Sequence, residues 1–316
     1  MGRAVVTHAH GDHLAWGSDA YLVATPGRRL AEARLGGRSV DCMPYGETRE
    51  INGVRISFHP AGHILGSAQV RVEHGGEIWV ISGDYKTEPD DTCDPFDPQR
   101  AHVFVTECTF GLPVYRWPTT ETLRNDLHHW INANRANGHA SLLFGYSLGK
   151  AQRLLSMLTG FDGPIWTHGA VDSMTQLYRE AGIVLPPTHP VSSMPRDTAW
   201  HQGVVIGPPS ASSSPWIRRF GASRSAFASG WMLIRGARRR RGVDRGFAVS
   251  DHVDWPSLLR AIEATGASRV LATHGFTQQL ARYLGERGVD AGVIPTRWEG
   301  EQDDVPETET SAETPA

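Results

Sequence analysis

The chain has 316 residues, 40% of them hydrophobic and 21% charged, with a formal net charge of −3. That length suits one large domain or two medium ones sharing a core, and no apolar run approaches the ~18 residues of a membrane span, so a membrane partner is not expected. Cys42, Cys93 and Cys108 form no CxxC pair and are odd in number, which argues against a disulfide framework and for a reducing compartment, the cytoplasm. Met1 to Leu14 shows no charged segment leading into an apolar one, so no secretory signal is expected.

In chain order, short β-branched runs alternate with helical patterns, which is an α/β signature. Ala4–Val6, Ile78–Ile81, His102–Val105, Phe247–Val249 and Arg269–Ala272 read as strands. Each ends within three residues of a His, Asp or Glu: His8, Asp84, Glu107, Asp251 with His252, and His274. Polar residues gathered at one end of a sheet are where α/β folds keep their chemistry, so the five coincidences suggest one shared site. Between Pro113 and Gly242 the texture changes to tryptophans and Gly-Pro-Ser loops. Here His139–Tyr146 reads as a strand, Gly149–Thr159 as a helix, and Gly203–Ile206 as a further strand. This stretch is expected to be a second domain inserted into the first. Helices over Pro256–Thr265 and Thr277–Arg287 then return to the first domain, with Pro256 and Gly288 as start and stop signals. The expected division is 1–112, 113–242, 243–298, and an acidic tail over 299–316. That tail holds seven acids and no base and reads as disordered, which leaves residues 1–298 at +4.

The motif His8-Ala9-His10-Gly11-Asp12-His13 carries the strongest chemical signal. Imidazole and carboxylate are ligands that suit zinc. A tight turn after a strand can aim His8 and His10 at one metal, and Asp12 and His13 at another, with Gly11 letting the backbone fold back. His63, in the loop Pro60–Ala68, and Asp84, after an apolar strand, follow as distant partners; alone, each would more often be structural. His59, His74, His128, His129 and His168 have no such setting and are left as structural or exposed.

In this order the residues resemble the metallo-β-lactamase hydrolases. Glu107 in Thr106-Glu107-Cys108, His252 in Ser250-Asp251-His252 and His274 in Thr273-His274-Gly275 are similar to the added motifs of the β-CASP nucleases. Phe110–Pro113, Leu148–Arg153, Ala228–Met232 and the Arg238–Arg245 block resemble the bacterial ligase-associated DNA exonucleases, a group often labelled RNA 3′-end processing factors. The resemblance implies an αββα metallo-β-lactamase sandwich with an inserted α/β β-CASP domain, and two Zn2+ per chain. His8, His10 and His63 would hold one ion and Asp12, His13 and His274 the other, with Asp84 bridging. Water activated between them would attack phosphorus in line. His252, oriented by Glu107, would protonate the leaving oxygen. Asp12, Asp84, Glu107 and His252 are thus the expected catalytic set. Cys108 stands where the family commonly has Ser, a change expected to be harmless. The family also places strands with a supporting aspartate ahead of the metal-binding turn, whereas Ala4–Val6 lies at the start of this sequence. Part of the N-terminus is therefore expected to be missing.

Phosphate contacts are expected from three places. Ser147 and Lys150 sit where a strand runs into a helix start, in a P-loop-like stretch that is one residue short and has Ala151 at the magnesium-binding position. Ser212 and Ser213 lie in a loop after the Gly203 strand, with a flexible loop as the alternative. Arg238, Arg239, Arg240 and Arg241 precede His252, with a solvated face as the alternative. The functions in competition are a DNA exonuclease beside an ATP-dependent ligase, an RNA nuclease of the 3′-end-processing type, and a small-molecule metallohydrolase. A non-catalytic scaffold is a fourth. The Arg block and the Glu107/His252 pair favour nucleic acid, with DNA ahead of RNA.

Overall fold

The computed structural model describes residues 2–38, 40–236, 239 and 242–295. Arg238, Arg240, Arg241 and the expected tail 299–316 lie outside the described residues. Three sheets form. The smallest is parallel, in the order β1 (Arg3–Val5), β2 (Ala20–Ala24) and β3 (Asp41–Met43), with helix α1 (Arg28–Arg34) between its last two strands.

The largest sheet has seven strands. A meander of β4 (Thr48–Ile51), β5 (Val54–Pro60), β6 (Ala68–His74) and β7 (Glu77–Ile81) pairs antiparallel. It passes to β8 (Val103–Cys108), which pairs parallel with β7. The chain then leaves this sheet through helix α2 (Thr120–Ala136). Leu123, Leu127 and Ile131 bury one face of α2 at four-residue spacing, and Thr119 caps its first turn by accepting from the amide of Thr122.

The six strands that follow pair in parallel. They are β9 (Ala140–Phe144), β10 (Ile165–Thr167), β11 (His189–Pro190), β12 (Val204–Gly207), β13 (Ser223–Ala228) and β14 (Arg245–Phe247), in the spatial order β11-β10-β12-β9-β13-β14. Helices α3 (Lys150–Met157) and α4 (Gly169–Glu180) alternate with them. β9 is buried along its whole length, as the unbroken run Ala-Ser-Leu-Leu-Phe requires of a strand covered on both faces.

The chain re-enters the seven-stranded sheet after helix α5 (Trp255–Thr265), whose N-cap is Asp254 and whose stop is the left-handed Gly266. Strand β15 (Arg269–Gly275) lies beside β8, and β16 (Asp290–Val293) closes the edge after helix α6 (Thr277–Gly285).

All the expected strands and helices form, with displaced ends. The expected strand Phe247–Val249 lies two residues earlier. Phe247 O accepts from the amides of both Ser229 and Val249, which turns the chain out of the sheet at that point. That last strand carries the six-stranded sheet past residue 242, up to Phe247. One apolar cluster contains Val6, Leu30 and Ile64 together with Leu154, Ile206 and Phe247, so the early strands and the later parallel sheet share a core. Among the described residues no helix is long and apolar enough to cross a membrane.

Candidate metal centre

The turn after β1 is held by the carbonyl of His10, which accepts from the amides of His13 (3.1 Å) and Leu14 (2.8 Å). This wraps four polar side chains around a short loop. His8 and His63 are buried, and His8 Nε2 lies 3.2 Å from His10 Nδ1, which lies 3.1 Å from His63 Nε2. His63 is placed by the loop between β5 and β6, where Ser67 Oγ accepts from the amides of His63 and Ile64. Asp84 follows β7, and its Oδ2 is 3.5 Å from His8 Nε2 and 3.8 Å from His63 Nε2. One donor atom from each of these four residues falls within 4.8 Å of all the others.

The hydrogen bonds on the far sides of the rings decide what faces the centre. His10 Nε2 donates to the carbonyl of Leu148 at 3.3 Å, and His63 Nδ1 to the carbonyl of Asp251 at 2.9 Å. A carbonyl oxygen only accepts, so those nitrogens carry the hydrogens. In the neutral rings, His10 Nδ1 and His63 Nε2 then present lone pairs to each other, with a carboxylate oxygen beside them. Burial lowers the pKa of all three imidazoles, helped by His13 at His8, by the His10–His63 proximity at His10, and by His252 at His63. A proton is therefore a poor occupant for the gap, and a cation that takes imidazole and carboxylate together fits it.

The second expected set gathers around His13. His13 Nε2 is 3.3 Å from Asp84 Oδ2 and 3.5 Å from Asp12 Oδ2, yet it is buried without a hydrogen bond. Its ring stacks on His274 at 5.2 Å between centroids. His274 is left-handed (φ 54°) at an irregularity in the pairing of β15 with β8, a backbone state that costs on the order of 1–3 kcal/mol and re-aims a side chain. Cys108 Sγ donates to the carbonyl of this strained residue at 3.0 Å. Burial alone would keep His13 neutral, but the carboxylates of Asp84 and Asp12 outweigh it and raise its pKa to about 9. Burial likewise opposes the charge on Asp84, while His13, His252 and His8 hold its carboxyl well below the usual range.

Glu107, buried on β8, accepts from His252 Nδ1 at 2.8 Å and from the amide of Tyr85 at 3.1 Å through one oxygen. Its other oxygen accepts from the amide of Thr109 at 3.2 Å. Asp84, Glu107 and His252 thus also form a close group. Because both oxygens of Glu107 already accept hydrogen bonds, the carboxylate is set up to orient His252. The His252 ring sits 4.8 Å from that of His63 and 5.9 Å from Phe110, beside the four-residue group.

The expected phosphate contacts fare differently. Lys150 is a correction: it is buried, and its Nζ lies 2.8 Å from Asp251 Oδ2, so the ammonium faces an internal carboxylate instead of an approaching phosphate. Ser147 is buried, Ser212 donates to the carbonyl of Pro209, and Ser213 is exposed. Arg239 is exposed, and its three neighbours in the run lie outside the described residues. Sequence reasoning singled out Asp251 and the Leu148–Arg153 stretch but gave no role to Asp251, Arg153 or the carbonyl of Leu148. The available signal was two bases one turn apart, Lys150 and Arg153, on a helix otherwise rich in leucine. Of the histidines set aside, His168 caps α4 by accepting from the amide of Ala170, and His128 bonds the carbonyl of Met157.

The resemblance read from the motifs is borne out by relatives. The chain is 37% identical over 297 residues, 92% of its length, to a probable DNA ligase of Opitutus terrae, and spans 28% of that protein. It is 29% identical over 150 residues to an RNase J-like protein of Methanocaldococcus jannaschii, matching 44% of this chain and 36% of that one. No family model matches the chain. A crystal structure of a protein of unknown function from Enterococcus faecalis V583 shares the fold over 94% of this chain and 80% of its own, with a TM-score of 0.64 at 12% identity. The homologues of this chain include β-CASP nucleases. Its mixed α/β architecture with several sheets fits the metallo-β-lactamase/β-CASP fold.

Proposed function

We propose that the chain is a two-zinc phosphodiesterase that cuts a nucleic-acid backbone, acting as a DNA exonuclease alongside a ligase. The observation that carries the metal reading is the convergence of His8 Nε2, His10 Nδ1 and His63 Nε2 on Asp84, with two of the rings locked by carbonyls behind them. His8, His10 and His63 would hold one ion, Asp12, His13 and His274 the other, with Asp84 shared. When bound, the metal pair supplies activated water and offsets charge on the phosphoryl oxygens. Glu107 keeps the Nδ1 hydrogen of His252, so the opposite ring nitrogen is the one that hands a proton to the leaving oxygen. The proposed division puts the metal ligands in 1–112 and 243–298, with the insert from 113 covering them and carrying the arginine block. The ligase context is supported by the relative named a probable DNA ligase, which matches 92% of this chain.

The test is cleavage of end-labelled single- and double-stranded DNA and RNA by the zinc-loaded protein, with and without chelation. The expected result is stepwise shortening of DNA, abolished by chelation and restored by zinc. Cleavage of RNA in preference to DNA would replace the substrate with that of the RNA 3′-end-processing type, a reading supported by the RNase J-like relative. Activity that survives full removal of metal would overturn the mechanism.

A further inference from the structure

Helix α3 is buried on every side, although Lys150, Gln152 and Arg153 occupy its first turn. Gln152 closes the helix start, accepting from the amide of Gly149 and donating to Ser147 O and Thr175 Oγ1. The two cations reach outward to one segment. Lys150 Nζ lies 2.8 Å from Asp251 Oδ2, and Arg153 Nη1 lies 3.4 Å from Asp251 Oδ1 while also donating to the carbonyl of Ser250. Arg153 Nε is 3.2 Å from Asp90 Oδ2. Asp251 then accepts from His63 Nδ1 through its main-chain oxygen, and the next residue is His252. Just ahead of α3, the carbonyl of Leu148 holds His10. Gly149 is left-handed (φ 85°), and a Cβ there would run into Ile64, beside His63. The stretch 148–153 therefore touches the back of His10, Ile64 next to His63, and Ser250 and Asp251, of which Asp251 holds the back of His63 and leads into His252.

Buried ion pairs are poor sources of stability, because desolvation offsets most of their attraction and well-packed apolar residues do as well. Stability is thus a weak reason for the four charged side chains of Lys150, Arg153, Asp251 and Asp90 to meet here, whereas fixing a ligand's orientation is a strong one. We infer that Lys150 and Arg153 are positioning residues of the metal centre, acting through Asp251 to fix the imidazoles of His63 and His252. The inference rests on the metal-centre reading above and adds to it a role for the helix that follows β9.

The experiment is zinc titration of the metal-free full chain against a chromophoric chelator, with circular dichroism and thermal unfolding recorded alongside. Lys150→Met is expected to bind zinc about 10–100-fold more weakly at wild-type secondary structure, and Lys150→Arg to recover most of that loss. Asp251→Asn keeps the main-chain acceptor for His63, so it should weaken binding less, and combining it with Lys150→Met should add little. A folded Lys150→Met protein with wild-type zinc affinity overturns the inference. Should Lys150→Met fail to fold, Arg153→Lys decides. It keeps the charge but loses the fork that joins Ser250 O to two carboxylates. A several-fold weaker affinity then supports the inference, and an unchanged one overturns it. A wild-type chain that binds no zinc overturns the metal-centre reading and this inference together, which separates the two failures.

Discussion

At the scale of single residues, the spacing of a motif conveyed what a side chain is and left unsaid what it faces. His8, His10, His63 and Asp84 were legible because ligand types recurred at strand ends, and they converge within 4.8 Å. Lys150 was misread because glycines and a lysine ahead of a helix resemble a phosphate cradle. The carboxylate that takes the lysine lies about a hundred residues later and leaves no local trace. His252→Ala is expected to keep its zinc but slow cleavage by roughly 10²–10⁴, with much of that restored by a substrate carrying a better leaving group. Loss of metal in that variant would move the acid role to His274. Asp84→Ala should release both ions, and His63→Ala mainly one. Metal analysis of the purified variants distinguishes these outcomes, and one ion retained by Asp84→Ala would rule out a shared carboxylate.

Among the elements, existence was easier to read than ends or partners. Hydrophobic runs announced β7, β8, β9, β12 and β15, but nothing local says that β15 lies beside β8 or that Phe247 O turns the chain out of its sheet. Next to the pairing of β13 with β14, Asp244 Oδ2 accepts from Ser225 N at 2.8 Å and its Oδ1 accepts from Arg224 at 3.0 Å. Burial opposes its charge, yet these donors hold the carboxyl below its ordinary value of 3.8. A carboxyl depressed in the fold stabilises fully above its unfolded pKa, and the contribution is lost as pH falls through the folded value. Asp244→Asn should therefore lower the thermal midpoint by a few degrees at most near neutral pH, since the site is largely exposed. That difference should vanish in acid. Equal losses at pH 7 and pH 3 would show that the charge plays no part.

For the molecule as a whole, charge distribution is the property that sequence states best. A body at +4 carrying four adjacent arginines is suited to a polyanion. Replacing Arg238–Arg241 with alanine is expected to weaken nucleic-acid binding and flatten its dependence on salt, with little effect on a small phosphodiester. An unchanged slope of log K against log salt would assign those arginines to solvent. The choice between DNA and RNA was not legible, since a 2′-hydroxyl is read by the shape of a site and not by a spaced motif.

The adjacency of β8 and β15 has a consequence for biosynthesis. Glu107 and His274 stand on neighbouring strands, yet they lie 167 positions apart in the chain. At the usual ~5–20 residues per second of translation, the ribosome needs roughly 8–30 s to travel from one to the other. Through that interval the growing polypeptide holds the His8–His13 turn without the strand that completes its surroundings. Ribosome-bound chains arrested before β15 are therefore expected to lack the cutting activity proposed above, and an activity assay on such arrested chains checks this.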